Sequence, residues 1–464
     1  MTRTEMAKEA YMTDLTVIEP ATEQVLAVLA RTTGSEVESA VEAAQQAQYA
    51  WSRTSPSSKA AVLRAIADLV EERAEDLALV EARNVGMPLN DARAVVSSVA
   101  ETFRYYAAGP ERLTGQTIPV AGGVNMTFHE PIGVVALITP WNYPMSIASW
   151  KIAPALAAGN AVLLKPAELT PLSSIELQRI AVEAGLPEGL FSVLVGPGST
   201  IGTQLVEHPC IGKIAFTGST SVGVGIAARA AQTMKRTTLE LGGKSASIVF
   251  ADSDLRAAAE GLAGGVFGNA GQDCCARSRV FVERFAVDEF LGYLRETVAG
   301  LQVGDPLNPA TQMGPLISQK QLDAVRAVVD SSPVAFQGNV PQGPGYWFPP
   351  TVLYPIDDAH PAATEEIFGP VVCILPFETE EEVIKRTNDS VYGLSGSVWT
   401  RDGARALRVA RAVESGTLSI NSYTSVRVST PFGGFKQSGI GRELGPDALE
   451  TYTEVKNVYY NTQE

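Results

Sequence analysis

The sequence predicts an α/β fold built on parallel, doubly wound sheets, and three observations predict it. Short apolar runs recur along much of the chain, as in PIGVVALIT (131–139), AVLLKP (161–166) and IGKIAFTG (211–218). Longer segments with apolar residues at three- and four-residue spacing lie between them, as in YPMSIASWKIAPALAAG (143–159). Glycine- and hydroxyl-rich connections such as GSTSVG (218–223) sit between strand and helix, where sheets of this kind bind their ligands.

Bulk properties bound the function. A chain of 464 residues has material for two to four domains, and 45% hydrophobic with 19% charged residues is ordinary for a globular protein. A net charge of -15 argues against nucleic acid or an anionic membrane as partner. No apolar run approaches the roughly 20 residues that span a bilayer. The start, MTRTEMAKEAYMTDL, lacks the apolar segment of a secretory signal. Cys210, Cys274, Cys275 and Cys373 form neither a disulfide framework nor a CxxC pattern, and His129, His208 and His360 lack metal-ligand spacing. A reducing, cytoplasmic setting without a bound metal is expected.

In chain order, AVEAAQQAQYAW (40–51) reads as one helix and AVLRAIADLVEERAEDLALVEARNVG (61–86) as a second, stopped by Gly86 and Pro88; a third covers Asp91 to Ala108. Residues 113–130 change to an extended ribbon, and TYTEVKNVYY (451–460) has the same character. Either segment can be an ordinary edge hairpin or can add to the sheet of a neighbouring copy. From 131 onward strands and helices alternate, and a second alternating set runs from SASIVFA (245–251) to GTLSIN (416–421). NVPQGPGYWFPPT (339–351) reads as a surface loop.

The short motifs are individually weak. GPGSTIG (196–202) has the wrong glycine spacing for a dinucleotide fingerprint, and GGKS (242–245) lacks the first glycine of a P-loop. GSTSVG can hold a pyrophosphate on a helix N-terminus, or can be a plain Ser/Thr cap. FGNAGQDCCARSR (267–279) carries adjacent cysteines with Arg277 and Arg279 beyond them. A thiol there is either an activated nucleophile or a small buried hydrophobe, and the stretch alone leaves both open.

Seven blocks taken together resemble the NAD(P)-dependent aldehyde dehydrogenase superfamily: TPWNYP (139–144), LLKPAE (163–168), FTGST (216–220), LELGGKS (239–245), FGNAGQDC (267–274), EEIFGP (365–370) and PFGGFKQSGIGRE (431–443). The resemblance implies a Rossmann-like NAD-binding domain (1–112 and 131–240), an α/β catalytic domain (241–445) and an oligomerisation segment (113–130 and 446–464), in a homodimer or homotetramer.

It also implies site residues. Cys274 is the nucleophile, Asn142 the oxyanion donor, Glu240 the base that activates water, and Lys151 with Glu443 a proton relay. Enzymes of the family that pass the acyl group to coenzyme A lack the glutamate, so its presence implies water as acceptor. Cofactor contacts fall on Ile138, Thr139, Pro140, Trp141, Lys165, Glu168, Gly198, Phe216, Gly218, Ser219, Leu241, Gly242, Glu366 and Phe368. Glu168 would accept ribose hydroxyls and repel a 2′-phosphate, which favours NAD, with NADP as the alternative.

Met145, Trp150, Asp273, Cys275, Tyr423 and Val426 match positions around the substrate tunnel and suit a medium-sized hydrophobic, aromatic or amino-aldehyde. Succinate-semialdehyde enzymes resemble this chain but carry arginines where Trp150 and Gly268 stand, which disfavours a dicarboxylic substrate. A non-catalytic dinucleotide-binding or structural protein on the same fold is the alternative, and loss of the cysteine, glutamate or asparagine would signal it. All three are present.

Overall fold

A computed structural model describes residues 14–424 and 426–463. The chain folds into two large sheets with helices on their faces, and a small antiparallel ribbon beside them. The N-terminal stretch read above as lacking an apolar leader lies, through residue 13, outside the described residues.

The first sheet has six strands in the order Gly439–Ile440, Arg236–Glu240, Ile211–Thr217, Val134–Ile138, Ala161–Lys165 and Phe191–Val193. All neighbours are parallel except the short Gly439–Ile440 strand. Every residue of Val134–Ile138 and Ala161–Lys165 is buried, as expected for strands covered on both faces. From Val134–Ile138 the chain winds outward through Ala161–Lys165 to Phe191–Val193. It then returns to Ile211–Thr217 on the other side of the starting strand, so the order reverses there and opens a crevice at the strand C-termini.

The second sheet has seven strands in the order Val334–Gln337, Thr351–Leu353, Val371–Phe377, Arg279–Glu283, Ala246–Val249, Ser395–Trp399 and Thr417–Ile420, parallel except at its first pair. Gly439–Ile440 comes from the part of the chain that follows this sheet, yet pairs with Leu239 and Glu240 in the first. The two halves are thereby joined beside Glu240.

The two ribbon-like segments pair with each other. Thr453–Asn461 runs antiparallel to Gly123–Pro131, which turns through Gly122 back to Thr117–Val120.

Some helices differ from the periodicity. The run 61–86 is broken: Pro56–Glu72 and Ala74–Val85 meet at Arg73, whose φ of -102° and ψ of 20° leave the helix. No glycine or proline marks the break; Arg73 instead gives two bonds to the Glu183 carboxylate, a tertiary contact invisible to local pattern. A hairpin at Leu15–Glu19 and Gln24–Leu29 and a helix at Gln319–Asp330 lie outside the elements read from sequence. Gly86 ends its helix in the left-handed region, as its stop signal predicts. Among the described residues no helix is long and apolar enough to cross a membrane.

Candidate active site

At the crevice, a groove of about 610 Å³ is lined by Ile138, Thr139, Pro140, Trp141, Lys165, Gly198, Phe216, Gly218 and Ser219 among others. It shares Pro140, Trp141, Gly218 and Ser219 with a cleft of about 220 Å³ that also holds Asn142, Leu241, Gly242, Cys274, Glu366 and Phe368. Every residue expected to contact cofactor lines one or both, except Glu168, whose carboxylate is held by Arg31.

Several features fit a dinucleotide. Ser219 is the N-cap residue of helix Thr220–Ala231, yet its side chain makes no capping bond, so a plain Ser/Thr cap does not account for it. Glu366 Oε1 accepts the Gly243 N–H at 3.0 Å, and burial pushes its carboxyl up to about 7. Burial likewise lowers the Lys165 amine to about 8; its Nζ donates to the Pro166 carbonyl at 2.8 Å.

Around Cys274 the backbone is forced. Asn269, Ala270 and Gly271 have consecutive φ values of 49°, 54° and 71°. Two residues with a Cβ in the left-handed region cost energy that surrounding bonds must offset. Asn269 Nδ2 donates to the Asn142 carbonyl at 2.9 Å, Gln272 Nε2 to the Asn269 carbonyl at 3.1 Å, and the Ile317 N–H to Gln272 Oε1 at 2.8 Å. Asn142 Nδ2 donates to the Gln272 carbonyl at 2.9 Å. The asparagine and the cysteine loop are thus one hydrogen-bonded unit. Gly271 must be glycine because a Cβ there would lie 2.0 Å from the Gly369 carbonyl, in the EEIFGP turn.

Cys274 is half-buried and Cys275 buried, and Asp273 Oδ1 accepts the Cys275 N–H at 2.8 Å. The donor atoms of Asp273, Cys274 and Cys275 lie within 4.8 Å of one another. The Cys274 thiol is pushed well above its ordinary range by its bond to the Cys275 thiol, then by burial and by the Asp273 and Glu366 carboxyls. Arg277 Nη1 donates to the Cys275 carbonyl and Arg279 Nε to the Lys244 carbonyl, so both guanidiniums are engaged with backbone.

Glu240 ends its strand with both carboxyl oxygens buried and, among the described residues, without a hydrogen-bond partner. Burial, then the nearby Glu443, push its carboxyl well above the usual carboxylate range, while Lys151 and Arg442 oppose the shift. A Cβ at Gly433 would come within 2.7 Å of Glu240 Oε1. Lys151 pairs with Glu443 and donates to Thr217 Oγ1 at 2.8 Å, so the two expected relay residues meet beside Glu240.

The substrate positions divide. A cavity of about 540 Å³ is lined by Trp150, Val426, Arg427, Ser146, Asp91 and Glu101 among others. Trp150 also packs on the cluster of Cys274, Cys275, Leu394 and Phe432, with its ring 5.4 Å from that of Phe432. Met145 is instead fully buried in the core of the first half. Tyr423 lines none of these clefts: its ring lies 5.1 Å from Trp399 and its hydroxyl donates to the Ala258 carbonyl. Cys275 faces Leu394, Phe432 and Leu444, and the Asp273 carboxylate is occupied by the Cys275 N–H. Sequence reading missed Ser146, Asp91, Glu101 and Phe432. Only Phe432 lay in a recognised block.

A crevice at a sheet's switch point, running into a cleft with a cysteine at its end, fits a dinucleotide-binding enzyme with a thiol at the reacting end. The sequence profile of the Aldehyde dehydrogenase family matches residues 6–458. The chain is 42% identical over 449 residues to a betaine aldehyde dehydrogenase of Cereibacter sphaeroides (96% of this chain, 93% of that one) and 43% identical over 460 residues to one of Rhizobium etli (96% and 94%). The NAD+ complex of an aldehyde dehydrogenase from Bacillus cereus superposes with a TM-score of 0.95 at 41% identity, covering 97% of this chain and 94% of that one. This chain belongs to the aldehyde dehydrogenase family. It is an NAD(P)-dependent oxidoreductase acting on the aldehyde group, and the fold is the one its sequence predicted.

Proposed function

We propose that the chain oxidises an aldehyde to the carboxylic acid by covalent catalysis at Cys274. The observation that carries this reading is the convergence of Cys274, Asn142, Glu240 and the Lys151–Glu443 pair from four separate parts of the chain. Cys274 Sγ gives up its proton, for which the Glu240 carboxylate is the proposed acceptor, and attacks the carbonyl carbon as thiolate. The oxygen that gains charge takes hydrogen bonds from the Cys274 backbone N–H and from the Asn142 amide, which its bond to the Gln272 carbonyl holds in place. Lys165, Ser219 and Glu366 in the groove and cleft would hold NAD, which would supply the hydride acceptor.

Glu240 then takes a proton from the water that attacks the thioester, and Cys274 leaves as thiolate. A carboxyl raised by burial is suited to hold that proton, and the Lys151–Glu443 pair beside it offers the route outward. Residues 1–112 and 131–240 would carry the cofactor, and 241–445 most of the catalytic wall. The ribbon exposes Val455, Tyr459 and Tyr460, which suits burial against a second copy in a dimer or tetramer.

For substrate, the Trp150–Phe432 wall favours a medium-sized hydrophobic or aromatic aldehyde. Asp91 and Glu101 in the same cavity, together with relatives named betaine aldehyde dehydrogenases, favour an amino-aldehyde as the second reading. The test is NADH formation with benzaldehyde, hexanal, an aminoaldehyde, betaine aldehyde and succinate semialdehyde, beside Cys274→Ala. Turnover that survives Cys274→Ala, or none with any aldehyde, would end the reading.

A further inference from the structure

We propose that a cavity at the second sheet is a further binding site, suited to a small monocarboxylate, whose occupant lowers the affinity for the dinucleotide. The cavity, of about 590 Å³, is lined by Arg279, Phe281, Ala363, Leu375, Arg386 and Val391 among others. None of its lining residues lines the groove, the cleft or the cavity beside Trp150.

Its wall holds a cation without a counter-ion. Arg279 is only 6% exposed, at the start of strand Arg279–Glu283. Its Nε donates to the Lys244 carbonyl at 2.9 Å and its Nη2 to the Thr387 carbonyl at 3.2 Å. Among the described residues Nη1 has no hydrogen-bond partner, and the guanidinium forms no ion pair. The Lys244 Nζ is likewise buried without a hydrogen-bond partner among the described residues. Two buried cations thus lie together, and an anion beside them would offset a large desolvation cost.

The other groups narrow the class of ligand. Arg386 gives two bonds to the Asp358 carboxylate, at 2.6 and 2.7 Å, and a third to Glu382, so it and Asp358 offset each other. Asp389 is exposed at the cavity, and its charge disfavours a doubly charged phosphate. Phe281 and Leu375 add an apolar wall, with the guanidiniums of Arg279 and Arg386 at 5.7 and 5.2 Å from the Phe281 ring. One negative charge on a hydrocarbon body suits all of them.

The cavity reaches the cofactor cleft by two short links, and this part rests on the reading of Glu366 as a cofactor contact. Thr364 lines the cavity two residues before Glu366. Arg279 holds the carbonyl of Lys244, and the preceding Gly243 N–H is the donor to Glu366 Oε1. The positive charge of Lys244 favours the ionised form of Glu366, which is the form that accepts ribose hydroxyls best. An anion beside Arg279 and Lys244 cancels part of that field, so dinucleotide binding weakens.

The test is calorimetric titration of the intact chain with benzoate, inorganic phosphate and NAD, in the wild type, Val391→Trp and Arg279→Gln. Val391 is 53% exposed, so a tryptophan there obstructs the cavity without disturbing its buried wall. A benzoate-binding event should weaken about tenfold or more in both variants, and phosphate should bind the wild type less tightly than benzoate. Saturating benzoate should raise Kd for NAD about fivefold or more in the wild type and have no such effect in Val391→Trp. Benzoate that does not bind, or binds Val391→Trp as tightly as the wild type, would overturn the site. Phosphate bound more tightly than benzoate would overturn the class of ligand. An unchanged Kd for NAD in benzoate-saturated wild type would overturn the coupling. If Glu366→Gln leaves Kd for NAD unchanged, the cofactor reading of Glu366 fails, and the benzoate titrations still decide the site.

Discussion

Lys151 and Glu443, 292 positions apart, form a buried ion pair beside the buried carboxyl of Glu240. Removing one member strands the other charge in a dry interior, which costs about 3–5 kcal/mol, whereas replacing both with apolar residues costs far less. Glu443→Gln should therefore be less stable in urea than the double variant Lys151→Met/Glu443→Leu. Both should lose turnover, and equal stability of the two would contradict a buried, mutually dependent pair.

Glu240 is held toward its acid form, so the base needed for thioester hydrolysis appears as pH rises. Turnover of the wild type should increase with pH as that carboxyl ionises. Glu240→Gln should give one rapid equivalent of NADH per site and then a steady rate lower by roughly 10²–10⁴-fold, flat in pH over the same range. Stopped-flow absorbance reads both phases. A variant with a wild-type steady rate would remove Glu240 from the chemistry.

Asn142→Ala deletes the amide that bonds to the Gln272 carbonyl and faces the cleft with Cys274. Loss of an oxyanion donor should lower kcat by about 10²–10³-fold. Alkylation of Cys274 by iodoacetamide should change much less, which separates loss of the donor from collapse of the cysteine loop.

Gly271→Ala places a Cβ against the Gly369 carbonyl at a position with φ of 71°. A loss of about 1–3 kcal/mol is expected from the strain. Because the displaced turn carries Glu366 and Phe368, KM for NAD should rise together with the fall in kcat. Denaturation and cofactor titration of one variant check both.

Glu81 is fully buried, and burial raises its carboxyl to about 7. In the unfolded chain the same group ionises near 4.5, so the folded state holds the extra proton between these values. Stability is then full below about 4.5 and falls as pH rises through about 7, by up to roughly 3 kcal/mol. Glu81→Gln should make the slope of the urea midpoint across pH 5 to 8 shallower, leaving the share of Glu366, whose carboxyl is also raised to about 7. An unchanged slope would assign it elsewhere.

Much of the fold was legible because strands covered on both faces write themselves as unbroken apolar runs, and helices between them keep their period. Val134–Ile138 and Ala161–Lys165 are such strands. The blocks that carry Cys274, Asn142 and Glu240 were legible for a different reason, as short motifs on which the resemblance to the family rests. Where Met145 and Tyr423 pack was not legible, because the direction a side chain takes from its helix or loop depends on what packs behind it.

By itself, the sequence determined the two alternating sheets, the order of the seven blocks and the presence of Cys274, Asn142 and Glu240 within them. Only the tertiary structure decided which groups meet: Arg31 with Glu168, Lys151 with Glu443, Gly271 with the Gly369 turn, and the ribbon's outer strand with its inner one. These contacts join segments far apart in the chain. Local propensity carries no record of them, because their energies arise from burial and charge compensation that exist only once both sheets are formed.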